Sequence, residues 1–301
     1  MPLSQWILLA VLSVLWGGSF LFVGIAVAEL PAFTIVLWRV GLAAALLVPV
    51  VLALGHRLPA SLRGWWPFLV MALLNNVIPF SAIVLGQKQI ASGLASVLNA
   101  TTPLFAVVLA HWLTDDRMGW NKLAGVLIGI AGVAILMGPA VIGADGTSSA
   151  GMALVLAGAC SYGFAGVWGR RLRTTPPLVS AACQLICSTL VMAAIAGTIE
   201  QPWTLPWPSG RTALAMFGLA LLSTALAYAI FFRILAQSGG TNVMLVTLLI
   251  PISGLALGWL ILGETVLWRH LLGAAVIASG LMAIDGRVLT AIGRARVAAR
   301  P

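Results

Sequence analysis

The stretch PLFAVVLAHWLTDDRMGWNKLAGVLIGIAG, from Pro103 to Gly132, returns 148 residues later as PISGLALGWLILGETVLWRHLLGAAVIASG, from Pro251 to Gly280. The two share a frame rather than a sequence: Pro103, Asp116, Trp120, Gly125 and Gly132 align with Pro251, Glu264, Trp268, Gly273 and Gly280. A weaker match at an offset of 146 aligns Trp16-Gly17 with Tyr162-Gly163, Phe22 with Trp168, Pro31 with Pro177 and Gly64 with Gly210. The chain reads as an internal duplication, with one copy in residues 1–140 and the second in 141–301.

What lies around these markers is apolar: 61% of the 301 residues are hydrophobic, only 8% are charged, and the mean hydropathy is +1.09. Such a composition indicates an integral membrane protein. A hydrocarbon core about 30 Å thick needs roughly 20 apolar residues per helical span. Candidate spans fall near 4–26, 32–54, 65–86, 92–113, 119–138, 150–169, 177–199, 211–235, 240–262 and 268–288, five in each copy. An odd number of spans per copy makes the second enter the membrane from the opposite side. The expected fold is therefore an all-α integral membrane protein of ten transmembrane helices, built as two inverted-topology five-helix repeats, an architecture typical of secondary transporters. Residues 1–25 hold no Lys or Arg and no convincing cleavage site, so they are expected to be a retained first helix rather than a signal peptide.

Charge sets the expected orientation. With the N-terminus in the cytoplasm, twelve Lys and Arg fall on that side, among them Arg57, Arg63, Arg117, Lys122, Arg170, Arg171, Arg173 and Arg233. Only Lys88, Arg211 and Arg269 fall opposite, as the positive-inside rule requires, and both termini are expected to be cytoplasmic. The net charge of +9 is scattered through short loops, so lipid rather than nucleic acid is the expected partner. The basic tail up to Arg300 reads as a lipid-facing anchor. Cys160, Cys183 and Cys187 lie within apolar spans, where a thiol is most often a packing residue. No third ligand stands beside them, so neither a metal nor a cofactor is expected.

Mechanism turns on what is polar inside the spans. Glu29, Asp115, Asp116, Asp145, Glu200 and Glu264 sit at span ends or in loops, and Asp285 lies near the end of the last span. Ionisable groups in mid-membrane are costly and rare unless used, and a proton-coupled carrier needs one. Arg39, about eight residues into the second span, is the one buried charge expected. Either it holds backbone carbonyls at helix ends, or it grips a substrate carboxylate with paired hydrogen bonds. The neutral polar residues gather on spans three (Asn75, Asn76, Ser81), four (Asn99, Thr101, Thr102), six (Tyr162), eight (Ser223, Thr224, Tyr228) and nine (Asn242, Thr247). Each alone is explained by hydrogen bonding between helices. Together with the aromatic residues Trp16, Phe20, Phe80 and Trp168, they suggest a central cavity. Candidate binding residues are Trp16, Ser19, Phe20, Asn76, Phe80, Asn99, Tyr162, Trp168, Tyr228 and Thr247, with Arg39 beside them. Gly17-Gly18 within that group also suits a packing notch for a neighbouring helix. Pro79, Pro103 and Pro251 are candidate hinges.

The Trp16 to Phe20 motif, the Pro103 to Asp116 and Pro251 to Glu264 pairs, the glycines after them and Ser223 to Tyr228 resemble the ten-helix, EamA-type branch of the drug/metabolite transporter superfamily. The likeness covers roughly residues 5 to 287. It departs at Asp115-Asp116, where the family usually shows Gly-Glu; the second copy keeps Gly263-Glu264. The small multidrug-resistance relatives use a mid-membrane Glu in their first helix, where this chain has Trp16 and Gly17. The resemblance implies a bacterial inner-membrane exporter of small metabolites working by alternating access, and it is nearest to neutral and aromatic amino-acid exporters of the YddG kind. The missing carboxylate favours facilitated efflux, and a fused duplication, which supplies both halves of the site in one chain, suits a functional monomer; a proton-coupled drug or other metabolite exporter, or a selective small-solute pore, is the alternative. No His-Glu-x-x-His, Gly-x-Ser-x-Gly or acid/base cluster points to an enzyme.

Overall fold

The computed structural model describes residues 2–141, 148–238, 240–243 and 245–285. Asp145 and the basic tail lie outside them. All the regular structure among the described residues is helical. The long elements are α1 (Leu3–Ala26), α2 (Ala32–Ala53), α3 (Leu62–Ala72), α4 (Ile78–Gln87), α5 (Ser92–Asn99), α6 (Thr102–Leu113), α7 (Trp120–Val141), α8 (Ser149–Trp168) and α9 (Pro177–Ile199). They continue with α10 (Gly210–Ala220), α11 (Ala227–Ser238), the single turn α12 (Gly240–Val243), α13 (Val246–Leu262) and α14 (Trp268–Asp285). Eight helical runs among the described residues are long and apolar enough to cross a membrane, and Val246–Leu262 is a shorter apolar one. Helices suit this solvent because each backbone donor and acceptor is satisfied within its own segment.

Two runs depart from regular α geometry in related places. Between α3 and α4, Leu73–Val77 is π-helical, and between α10 and α11 so is Leu221–Leu226. The starts of these segments are 148 residues apart, the same offset as the proline, acid and glycine frame. A third run is broken: α5 ends at Asn99 and α6 begins at Thr102 with Pro103 in its first turn, where a missing N–H costs nothing.

The glycines of the duplicated stretch explain how α7 and α14 meet. A methyl group on Gly125 would stand 2.5 Å from the Gly280 carbonyl oxygen, and one on Gly132 would stand 3.0 Å from that of Gly273. Gly125 opposes Gly280 while Gly132 opposes Gly273, so the two helices run antiparallel. Bare backbone lets them close to a distance that any side chain would prevent. The other extensive pairings are α1 with α13, α2 with α9, α4 and α6 with α8, α5 with α13, and α1 with α10. Gly17 is the packing notch: its added methyl would lie 2.2 Å from Ser253 Oγ on α13, and Ser253 Oγ donates to the Ser13 carbonyl at 2.7 Å.

Carboxylates tie one end of the bundle across the two copies. Glu200 accepts from the Phe33 and Thr34 N–H groups at 3.0 and 2.6 Å and from the Thr34 hydroxyl at 2.8 Å. Glu264 accepts from the Ser92 and Gly93 N–H groups at 2.7 and 2.9 Å. Glu29 accepts from the Ser209 N–H, its hydroxyl and the Thr212 hydroxyl at 2.7, 2.6 and 2.8 Å. Each acid sits where a helix start leaves donors unpaired and the macrodipole favours negative charge. Asp116, the repeat partner of Glu264, is at the other end and pairs instead with Lys122 at 2.9 Å and Arg170 at 3.8 Å.

Candidate functional site

The π segments bring the interior polar groups together. A π turn inserts one residue into the helix, so the side chains after it swing to a face that α periodicity would not give them. Asn76, in the first segment, donates to Ser188 Oγ on α9 at 2.9 Å, and its neighbour Asn75 donates to Gln184 Oε1 at 3.2 Å. In the second segment Thr224 accepts from Arg39 Nε at 3.3 Å and donates to the Leu219 carbonyl at 3.0 Å. Ser223 donates to the Leu15 carbonyl of α1 at 2.6 Å.

Arg39 is the centre of this group. It retains only 9% of its surface, and its guanidinium carbon lies 3.6 Å from the centroid of the Phe80 ring. Tyr162 and Tyr228 are both within its electrostatic reach, and Tyr228 shares a hydrogen bond with the Asn75 side chain. Phe80 and Tyr162 meet edge to face at 6.5 Å, and an aromatic row of Trp16, Phe231, Phe232 and Tyr228 continues at centroid distances of 5.5, 5.3 and 6.1 Å. No carboxylate among the described residues pairs with Arg39. The site is a cationic point in an aromatic and amide-rich surround, contributed by α2, α4, α8, α9 and α11 and by the two π segments.

The structure thus gathers Arg39, Phe80, Tyr162 and Tyr228, with Asn76 and Trp16 at the margins. Other predicted residues are elsewhere. Ser19 turns its hydroxyl to the Trp16 carbonyl of its own helix, and Phe20 is buried in a core cluster with Leu12 and Leu98, its carbonyl accepting from Gln87 Nε2. Trp168 donates from its indole to the Pro67 carbonyl at 2.9 Å and stacks under Arg171 at 4.4 Å, which makes it a clamp at the end of α8. Thr247 lines a separate half-open groove of about 840 Å³ between α5, α13 and α14, whose walls include Pro251, Trp259 and Leu271. Asn99 ends α5 at the helix break, and its buried Oδ1 has no partner among the described residues. Gln184 and Ser188 were not anticipated. Their signal was available: they are polar residues at i and i+4 within the apolar run of α9. Cys183 and Cys187, also on α9, are buried, and no three His, Cys, Asp or Glu side chains converge among the described residues.

Residues 4–138 and 149–284 each match the EamA-like transporter family, so the match is made twice, once on either side of the expected boundary between copies. The chain belongs to the EamA-like transporter family. It is 27% identical over 242 residues to a probable amino-acid metabolite efflux pump of Salmonella typhimurium, which covers 78% of this chain and 76% of the pump. It is 27% identical over 302 residues to the uncharacterized inner membrane transporter YedA of Escherichia coli K12, covering 96% of this chain and 91% of that protein. A solved crystal structure shares the fold, with a TM-score of 0.66 at 19% identity over 94% of this chain and 96% of its own. This EamA protein is accordingly a multi-pass membrane protein of a transporter family rather than an enzyme family.

Proposed function

We propose that this EamA protein exports small carboxylate-bearing metabolites, neutral and aromatic amino acids foremost, across a bacterial inner membrane by alternating access of one site centred on Arg39. The observation that carries the reading is the placement of that site. Arg39, the one buried Lys or Arg among the described residues, sits with the aromatic row and the amides where α2 and α9 pair and where both π segments face, between the two copies of the duplicated unit. That is where an inverted-repeat transporter holds its cargo.

Several features support ten spans in two inverted repeats. The antiparallel α7 and α14 contact is unchanged when the copies are exchanged, since Gly125 against Gly280 becomes Gly273 against Gly132. The pairing of α1 with α13 likewise has its counterpart in α8 with α6. On this reading α13, after the turn of α12, and α14 also cross the membrane. The lysine and arginine distribution supports cytoplasmic termini, and with them an outer-face location for the Glu29, Glu200 and Glu264 ties. One chain supplies both halves of the site, which favours a functional monomer surrounded by lipid. The acids described all lie at helix ends or in the loops between helices, Asp285 at the last residue of α14 among them, so the carrier operates without a mid-membrane carboxylate for proton exchange.

Counterflow in liposomes tests this. Vesicles holding purified protein and unlabelled phenylalanine should take up labelled phenylalanine saturably, with no change when a pH gradient is imposed. Uptake that is linear in concentration and blind to internal substrate would indicate a pore. Flux following the proton gradient would reject the uncoupled mechanism.

A further inference from the structure

We infer that the Arg39 site prefers a carboxylate carried without an ammonium group, so that the protein moves net-anionic organic acids and its efflux is driven by the membrane potential. The inference rests on the transporter reading above and reorders its cargo: amino acids remain substrates of the same site, but weaker ones than the corresponding deaminated acids.

The charges around the site decide it. Arg39 is buried, and its described contacts are the Thr224 hydroxyl, the Phe80 face and the electrostatic neighbours Tyr162 and Tyr228, all formally neutral. A bound carboxylate therefore supplies the counter-charge that the protein omits, and a guanidinium receives it with two parallel hydrogen bonds. An α-ammonium group on the same ligand meets no anionic counterpart among the described residues of the site. The described acids are at the helix ends: Glu29, Glu200 and Glu264 on donors at helix starts, Asp116 on Lys122, Asp115 exposed, and Asp285 at the last residue of α14. The ammonium is tethered within about 6 Å of the guanidinium that holds the carboxylate. Like charges at that separation, at an effective dielectric of about 20, correspond to about a hundredfold in affinity. The Phe80 face, which could receive a cation, is already occupied by Arg39. Taking solvent screening into account, a preference of at least about tenfold for the deaminated acid is expected.

The same charge count supplies a driving force. A neutral amino acid crossing alone is indifferent to voltage, whereas a monoanion crossing through a site whose Arg39 stays in place carries one negative charge per cycle. An inside-negative potential of 100 mV then supports an outward concentration ratio of about 50-fold. Export proceeds without a proton-carrying side chain.

The test is electrical and uses the intact protein in liposomes adsorbed on a sensor. Three probes share one scaffold: 3-phenylpropionate has the carboxylate alone, phenylalanine has both charges, and phenethylamine has the amine alone. Diffusion of protonated 3-phenylpropionic acid is electrically silent, so it does not contribute to the current. The expected result is a saturable current of negative sign for 3-phenylpropionate, no current for phenylalanine, and displacement of the first by the second only at tenfold or higher concentration. Arg39→Lys should keep the sign with weaker binding, and Arg39→Gln should abolish the current. The wild-type panel decides the question even where the Gln variant fails to fold. Equal or tighter binding of phenylalanine, or current from phenethylamine, overturns the anion preference while phenylalanine counterflow leaves the transporter reading standing. Absence of current, displacement and counterflow for all three overturns both.

Discussion

Replacing Gly280 by alanine should force α7 and α14 apart. The added methyl would lie 2.6 Å from the Gly125 carbonyl oxygen and 2.8 Å from the Gly129 nitrogen. Both are backbone atoms of a regular helix, so neither can rotate away, and relief requires the helices to separate by roughly 0.5–0.8 Å. A gap of that size forfeits about a quarter to a half of the dispersion energy of the contacts it opens, and overpacking of this kind costs about 1–3 kcal/mol. At about 2 °C per kcal/mol for a chain of this length, the midpoint should fall by roughly 2–6 °C. The assay is thermal unfolding in one detergent at one scan rate, since membrane proteins seldom refold after heating. Gly138→Ala, on the same α7 with nothing within 4 Å of the added methyl, is the paired control. It should be neutral or slightly stabilising, because alanine is the better helix former. Equal losses at Gly280 and Gly138, or no loss at Gly280, would falsify the close antiparallel contact.

Glu264→Gln should lower the melting midpoint by the equivalent of about 1–2 kcal/mol, because two charge-assisted bonds to the Ser92 and Gly93 N–H groups weaken; an unchanged midpoint contradicts the cap. Glu29 is held below the ordinary carboxylate value of 4.5 chiefly by the Ser209 hydroxyl and N–H and then by Thr212. A lowered folded pKa means that its stabilisation is complete above pH 4.5 and lost as the pH falls through the lower folded value. Melting curves between pH 7 and pH 3 should therefore show a drop that Glu29→Gln flattens, and superimposable pH profiles would refute the tie. Trp168→Phe removes the bond to the Pro67 carbonyl and should cost about 0.5–1.5 kcal/mol of stability with KM for counterflow unchanged; a raised KM would return Trp168 to the site.

Much of the helical layout could be read from the residues alone. The runs at 92–113 and 177–199 fall where apolar length put them, since in lipid an apolar stretch of about 20 residues has one low-energy form. Gly125, Gly132, Gly273 and Gly280 were visible only as repeat markers; that they let α7 and α14 close on each other antiparallel is a matter of tertiary contact. The site was harder to read. Arg39, Phe80, Tyr162 and Tyr228 stand out as polar or aromatic residues in apolar runs, and they do converge. Trp168 and Thr247 have the same chemistry but lie at a helix end and in a lateral groove, a difference of depth and facing that residue type does not encode. Ser19 shows a further limit: a hydroxyl in a helix often bonds its own backbone, as this one does with Trp16. The π segments left no mark in composition, because one extra residue per turn is a matter of hydrogen-bond register. They are nevertheless what turns Asn75, Asn76 and Thr224 toward α9 and Arg39.

The most direct test of the central claim, one interior site opened to each face in turn, is thiol accessibility at the centre of the bundle. Cys160, Cys183 and Cys187 are replaced by alanine, Asn75 by cysteine, and right-side-out and inside-out vesicles are treated with a membrane-impermeant maleimide. The account predicts labelling from both faces in a cycling population, and a shift of labelling toward one face when saturating 3-phenylpropionate is present on the other. Labelling confined to one face under every condition, or equal from both faces and insensitive to ligand as in an open pore, would contradict it.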